Sequence, residues 1–460
     1  MSMDKGQLSQ MLSRGVAEVI IREEMDQLLG AGKPLKLKMG FDPSRPDIHL
    51  GHAVGLRKLR QFQELGHRVI LIVGDWTGQI GDPSGQSATR PMLSAQEVKD
   101  NAHTYLDQFF KVVDRDRTEV RWQSEWFGKF DLADIIKLTS RFTVAQLLAR
   151  DDFSKRYAAN RPIAITELLY PLLQAYDSVV IEADVEFGGT DQKFNLLLGR
   201  ELQTMSGQRP QQCLLVPILV GTDGVQRMSK SLDNYIGIDE PPKETYFKVM
   251  RLKDDLMMDY FELVTDVPGP ELNEMRQALE TRSVNPMEIK KRLAREIVAQ
   301  FHGSDAARAA EADFGRIVQR KEVPDQVVEF PLSFSSSSCG RNPDLELVLP
   351  IMLGDIKEES MKNVPLLSIP RLLVKAGVVS SGAEVRRLIR GGGVLVDGKP
   401  LDKEYITLAR PHEKKPEPPR YGPPDKIYPN SLIKAGKRHV IKIVDADTVN
   451  TGEHPSTGSG

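Results

Sequence analysis

Two periods organise the apolar residues in the first half of the chain. Leu35 to Met39 (Leu-Lys-Leu-Lys-Met) alternates with period two, as a strand does. Gly40-Phe41-Asp42-Pro43 turns the chain, and Leu56, Leu59, Phe62 and Leu65 then recur every third residue, the spacing of one helix face. The run Val69-Ile70-Leu71-Ile72-Val73 is apolar throughout, which predicts a parallel-sheet strand covered on both faces. The same reading places helices over 16–29, 94–111, 131–138 and 163–176, and strands near 119–122, 179–183 and 213–220. Strands interleaved with helices predict an α/β fold, a doubly wound Rossmann-like parallel sheet with right-handed crossovers.

Beyond residue 235 the strand signal fades, and 241–318 reads as helical and charged. Residues 333–338 are serine-rich and read as a linker or surface loop. From Leu366 two short helices followed by strands predict a small α+β domain, closed by a strand or two over 432–444. Residues 410–429 form a proline-rich, charged insertion, expected to be extended, and 451–460 a small polar tail, expected to be disordered. The expected divisions are an α/β domain at 1–235, a helical domain at 236–330, a linker at 331–365, the α+β domain at 366–445 and a tail at 446–460.

Length, composition and charge add further constraints. At 460 residues the chain exceeds what one hydrophobic core supports, so two or three domains are expected. The N-terminus, 1–10, has no apolar signal region, and the apolar run at 69–73 is far short of a membrane span. Only Cys213 and Cys339 occur, too far apart in sequence for a disulfide framework or a zinc motif, which points to a reducing, cytoplasmic setting. The net charge of −2 is uneven: 366–445 holds 16 Lys and Arg against 8 Asp and Glu, a balance of +8, leaving −10 elsewhere. A basic module on an acidic body suits a localised contact with a phosphate backbone, or simply a solvated basic face.

The candidate chemistry lies in two strings. His49-Leu50-Gly51-His52 stands where a strand hands over to a helix, a junction whose free N–H groups and dipole favour anions. Two imidazoles one turn apart can donate to phosphate oxygens, and Gly51 leaves room for an adenine or ribose. Two histidines so spaced also suit a metal or a bland surface pair; no third ligand stands at convincing spacing, so no zinc is expected. The second string, Arg227-Met228-Ser229-Lys230-Ser231, follows the glycine-flanked Gly221-Thr222-Asp223-Gly224 and supplies a mobile positive charge, where a lysine otherwise just faces solvent. Attack of an ionised carboxylate on the α-phosphorus of ATP needs alignment and charge neutralisation but no general base. Histidines, Lys230 and Mg²⁺ would provide both.

These strings resemble the paired HIGH and KMSKS signatures of class I aminoacyl-tRNA synthetases. With Gly40 to Pro43, Ile80 to Gly85, Tyr170 to Asp177 and Gly188 to Gln192, nearly the whole chain resembles the bacterial tyrosyl-tRNA synthetases. The resemblance implies that His49, His52 and Lys230 are catalytic, with ATP bound by Asp42, His49, Gly51, His52, Arg90, Gly189, Asp191, Arg227, Lys230 and Ser231. It implies that Tyr170, Gln174 and Asp82 hold the α-ammonium of L-tyrosine, that Asp177 accepts from its phenol, and that Gln192 contacts the substrate or adenylate. Positions 170, 174 and 177 share one helix face, consistent with a common pocket. Many members carry a tyrosine two positions before the Gly-Phe-Asp-Pro block; here Lys38 stands there, which is similar to a second bacterial branch. Ile369 to Asp397 resembles a small RNA-binding domain of a ribosomal protein, implying that Arg371, Lys375, Arg386, Arg387 and Arg390 contact tRNA(Tyr), while the helical domain approaches the anticodon. A homodimer is implied by family alone. The alternatives are a tryptophanyl enzyme, a non-catalytic RNA-binding descendant, and a nucleotidylyltransferase, which would leave the basic module without a purpose.

Overall fold

The apolar runs of the first half assemble into one six-stranded sheet: β1 (Glu18–Val19), β2 (Lys36–Phe41), β3 (Arg68–Val73), β4 (Thr118–Trp122), β5 (Val185–Gly189) and β6 (Gln212–Val216), in the order β1-β6-β5-β2-β3-β4. The computed structural model describes residues 5–44, 47–84, 92–319, 328–332, 348–349, 366–379, 381–409, 426–428, 430–436 and 439–445. Strands β2 to β6 run parallel, and every residue of Val69–Val73 is buried, as expected for a strand with helices on both faces. The connections run β2 to β3 to β4 on one side and β5 to β6 on the other, so the winding reverses between β2 and β5. Those two strands pair only at Leu37↔Val185 and Lys38↔Glu186 before diverging. A crevice at such a reversal is where open α/β sheets bind ligands.

Two local expectations are corrected. Glu18–Val19 is not helical; it pairs antiparallel with Leu214 and Leu215, capping the open edge of β6, and the helix begins at Arg22. The β-branched run at 179–181 ends a long helix, Ile165–Ile181, and is not a strand. Its apolar side is buried against the neighbouring helix Lys193–Met205, and this packing overrides β propensity. The chain leaves that helix through Glu182 in the left-handed region (φ 51°) and enters β5 at Val185.

The chain divides into two compact units, Met1–Glu311 and Ala312–Gly460. The first unites the sheet with helices of the expected helical region, Pro242–Met250, Met257–Val264, Gly269–Glu280 and Pro286–His302. Buried Arg57 ties them to the helix Leu50–Glu64, donating to Asp266 Oδ1 and Gln300 Oε1, each at 2.6 Å. The second unit packs two helices, Ile369–Lys375 and Gly382–Arg390, on two small sheets around Leu372, Val385, Val394 and Ile441. Val328–Leu332 lies parallel to His439–Asp445 at the edge of the larger sheet, so the expected division at residue 330 falls inside a strand of this unit. Strand Val348–Leu349, inside the expected linker, pairs with Leu366–Ser368. The serine-rich stretch, most of the proline-rich insertion and the tail lie outside the described residues.

A truncation test follows from the edge strand. A chain ending after Gln319 should stay monodisperse or dimeric in size-exclusion chromatography. One ending after residue 365 retains Val328–Leu332 without its partner strand, and should aggregate through that edge.

Candidate active site

Helix α1 (Leu50–Glu64) begins directly after its N-cap, His49. The cap is reciprocal: His49 Nδ1 accepts from the Gly51 N–H at 3.2 Å, and His52 Nδ1 accepts from the His49 N–H at 3.3 Å. A Cβ on Gly51 would lie 2.9 Å from the His49 ring, so glycine is required for the cap itself. Because each Nδ1 accepts, each ring carries its proton on Nε2. Burial, reinforced for His49 by His52 and for both by Lys230, drives the two imidazoles below their ordinary value, His52 to about 4. Both are neutral at pH 7. They are fixed N–H donors.

The second string lies beside the first. His49 bridges Gly237, with the Leu50 N–H donating to Ile236 O at 2.9 Å. Buried Asn234 shapes the intervening loop: its Oδ1 accepts from Ser229 N at 2.7 Å, and its Nδ2 donates to Asp223 Oδ2 and Arg227 O. Lys230 donates to Asp47 O and stands 5.3 Å over the Tyr105 ring. Ser231 Oγ is 2.9 Å from Ser229 Oγ. Arg227 pairs with Asp191 at 3.0 Å, holding the loop against the rim. Arg90 lies outside the described residues.

Between β2 and β5 opens a cavity of about 250 Å³. Among its lining residues are Asp82, Tyr170, Gln174, Asp177 and Gln192, all of those expected to bind the amino acid, and Asp42, His52 and Gly189 of those expected to bind nucleotide; His49, Gly51, Asp191, Arg227, Lys230 and Ser231 are not among them. Helix α2 (Ile165–Ile181) presents Tyr170, Gln174 and Asp177 on the shared face that their spacing predicts. Tyr170 OH donates to Asp42 Oδ2 at 2.8 Å, and Thr77 Oγ1 to Asp42 Oδ1 at 2.7 Å. Asp82 accepts from Ser84 N at 2.8 Å and from Gln192 Nε2.

Asp177 is buried and accepts from Gln123 Nε2 at 2.9 Å and Trp126 Nε1 at 3.2 Å. Burial pushes its carboxyl up to about 7, opposed by the Lys38 charge and these two bonds. Gln123 is itself oriented, its Oε1 accepting from Thr77 N at 2.9 Å. Sequence reasoning missed Thr77, Tyr105 and Gln123, as well as Arg150 and Asn195. Arg150, buried, donates to Ser84 Oγ at 2.6 Å and to Asn195 Oδ1 at 3.1 Å; Asn195 Nδ2 donates to Gln174 Oε1 and Gln192 Oε1. Of these, only Asn195 carried a signal, one turn beyond the Gly-Gly-Thr-Asp-Gln block.

The raised Asp177 carboxyl predicts a pH effect. Its folded value of about 7 lies above the ordinary aspartate value of about 3.9. The folded state therefore binds the proton more tightly, and stability from this group falls as pH rises between the two values. Asp177→Asn cannot ionise, so its urea midpoint relative to the parent's should climb from pH 4 to pH 8. Any constant packing cost of the amide cancels in that difference; a flat difference would refute the assignment.

Comparison with known proteins places this geometry. Residues 31–319 match the family of class I tRNA synthetases (W and Y), and 369–408 match the S4 domain. A tyrosine–tRNA ligase of Dehalococcoides mccartyi is 52% identical over 96% of this chain and 100% of its own length. One of Moorella thermoacetica is 50% identical over 84% of this chain and 88% of its own. In fold, the chain resembles the tyrosyl-tRNA synthetase of Archaeoglobus fulgidus (TM-score 0.55, 23% identity, 67% of this chain and 100% of that one). It also resembles a C-terminally truncated mitochondrial tyrosyl-tRNA synthetase of Aspergillus nidulans (TM-score 0.57, 22% identity, 67% and 93%). A reversed-winding crevice, both signature strings beside it and these matches together make the chain a member of the class I tRNA synthetase family (W and Y), with a C-terminal S4 domain.

Proposed function

We propose that the chain activates L-tyrosine with ATP and transfers it to tRNA(Tyr). One observation carries this reading: a single cavity holds a buried acceptor for a phenol, Asp177, and His52 and Tyr105 with Lys230 poised over the latter. The tyrosine carboxylate attacks the α-phosphorus of ATP. A carboxylate–phosphorus bond forms, the bond to the bridging oxygen breaks, and pyrophosphate leaves. His49 and His52 donate from neutral Nε2–H groups, while Lys230 supplies the positive charge that they do not. Asp42, Gly51, Gly189, Asp191, Arg227 and Ser231 hold the nucleotide, with Arg90 reaching the pyrophosphate. Mg²⁺ enters on the triphosphate as part of the substrate and screens its charge.

Tyr170, Gln174 and Asp82 take the α-ammonium, with Gln192 beside them. In the second step a hydroxyl of the terminal tRNA ribose attacks the adenylate carbonyl and AMP leaves. Arg371, Lys375, Arg386, Arg387 and Arg390 are all exposed on the two helices of the S4 domain, where they suit phosphates of folded RNA. Arg386 also pairs with Glu404 at 3.0 Å. We further propose a homodimer working in the cytoplasm. The exposed apolar side chains Leu132, Ile136, Val144 and Ile165 on three helices of the first unit, Leu132–Thr139, Val144–Leu148 and Ile165–Ile181, support self-association. No helix among the described residues is long and apolar enough to cross a membrane.

The decisive assay is ATP–pyrophosphate exchange with each proteinogenic amino acid in turn. Tyrosine alone should support fast exchange; a tryptophan response would favour the tryptophanyl alternative, and no response a non-catalytic protein. Lys230→Ala should slow exchange by about two orders of magnitude while leaving tyrosine affinity nearly unchanged, the signature of a group acting on the transition state. An unchanged rate would remove Lys230 from the mechanism.

A further inference from the structure

Lys38 has no part in the roles above. Its side chain is fully buried, yet it is not among the residues lining the cavity. Its ammonium lies 2.9 Å from Glu186 Oε1 and donates to Gln174 O at 2.8 Å and Ser178 Oγ at 2.7 Å. None of these partners is Asp177. The same Glu186 Oε1 accepts from Gln174 Nε2 at 3.1 Å, while Oε2 is engaged by Ser178 Oγ and Gln211 Nε2.

The consequence lies in the Gln174 amide, which has one accepting end and one donating end. A carboxylate only accepts, so Glu186 takes the N–H₂ end and turns Gln174 Oε1 away from itself. There Oε1 accepts from Asn195 Nδ2 at 2.9 Å and keeps a second lone pair. We infer that Lys38 is a positioning residue for the amino-acid site: by binding Glu186 Oε1 and Gln174 O together, it holds the acceptor of the Gln174 N–H₂ group in place and so fixes the amide with its oxygen presented to the substrate ammonium. Without the lysine nothing joins Glu186 Oε1 to the helix backbone at Gln174, and Asn195 alone holds the amide. An amide less firmly held can turn and offer N–H to an ammonium, a donor facing a donor. The inference rests on the reading of Gln174 as an ammonium ligand.

The test compares two ligands that differ only in that ammonium, L-tyrosine and 3-(4-hydroxyphenyl)propanoate, by calorimetry on the full chain without ATP. Both keep the phenol, so any effect of Lys38 through Asp177 cancels in their affinity ratio. The parent should prefer tyrosine, and Lys38→Met should reduce that preference by about tenfold or more, the worth of a bond to a charged group. The neutral double variant Lys38→Met/Glu186→Gln leaves no buried charge unpaired and should lose the preference similarly; it carries the test should Lys38→Met not fold. An unchanged ratio, or equal weakening of both ligands, would overturn the positioning role. Gln174→Leu separates the two levels: if it leaves the parent's preference intact, the ammonium reading itself fails.

Discussion

The pairing of β2 with β5 governs what the rest of this protein can do. Parallel strands that stayed paired to their ends would leave no crevice. Strands that never paired would leave the pocket helix without a floor. Here pairing stops at Lys38↔Glu186, and the next residues of each strand, Met39 to Phe41 and Phe187 to Gly189, line opposite walls of the cavity. That last rung is a fully buried ion pair. Buried pairs are poor sources of stability, because desolvation offsets the attraction, and removing one partner costs about 3–5 kcal/mol. Its value lies in what it orients: the α2 backbone at Gln174, the Ser178 hydroxyl and the Gln174 amide.

The electrostatics above this floor divide the labour. Burial that strips the histidines of charge also raises Asp177, and it raises Asp191 against the pull of Arg227. A neutral donor fixed by a helix cap costs little reorganisation when charge develops on a phosphoryl oxygen. In the proposed reaction, a lysine on a loop can follow the leaving group where a capped helix cannot. The cap satisfies free N–H groups at the start of the helix, so stability and donor geometry are served by the same bonds.

Local signals made much of this legible. The continuous apolar run of β3, the strand-to-helix junction at His49 and the shared face of residues 170, 174 and 177 each follow from periodicity, and the structure reproduces them. What stayed hidden depends on distant partners. Val179-Val180-Ile181 has strand composition, but its helix is decided by the packing of another helix. Val328–Leu332 contains Pro331, which demotes a strand in sequence; it is tolerated because this strand lies at a sheet edge and pairs with one far along the chain. Thr77, Gln123 and Arg150 form no motif, since each acts on a residue from another segment: Asp42, Asp177 and Ser84.

A further constraint sits at Gly74, just after β3. A Cβ there would overlap both Asp42 Oδ1 and Thr77 Oγ1, the two atoms joined by a hydrogen bond across the cavity wall. Asp42 is also held by Tyr170 OH from α2, so β2, β3 and α2 converge on one carboxylate. Its two oxygens are therefore oriented before any substrate arrives. Pre-set acceptors of this kind spare a ligand the entropy of ordering the site, and preorganisation of that kind, more than contact area, separates a catalytic crevice from an ordinary cleft.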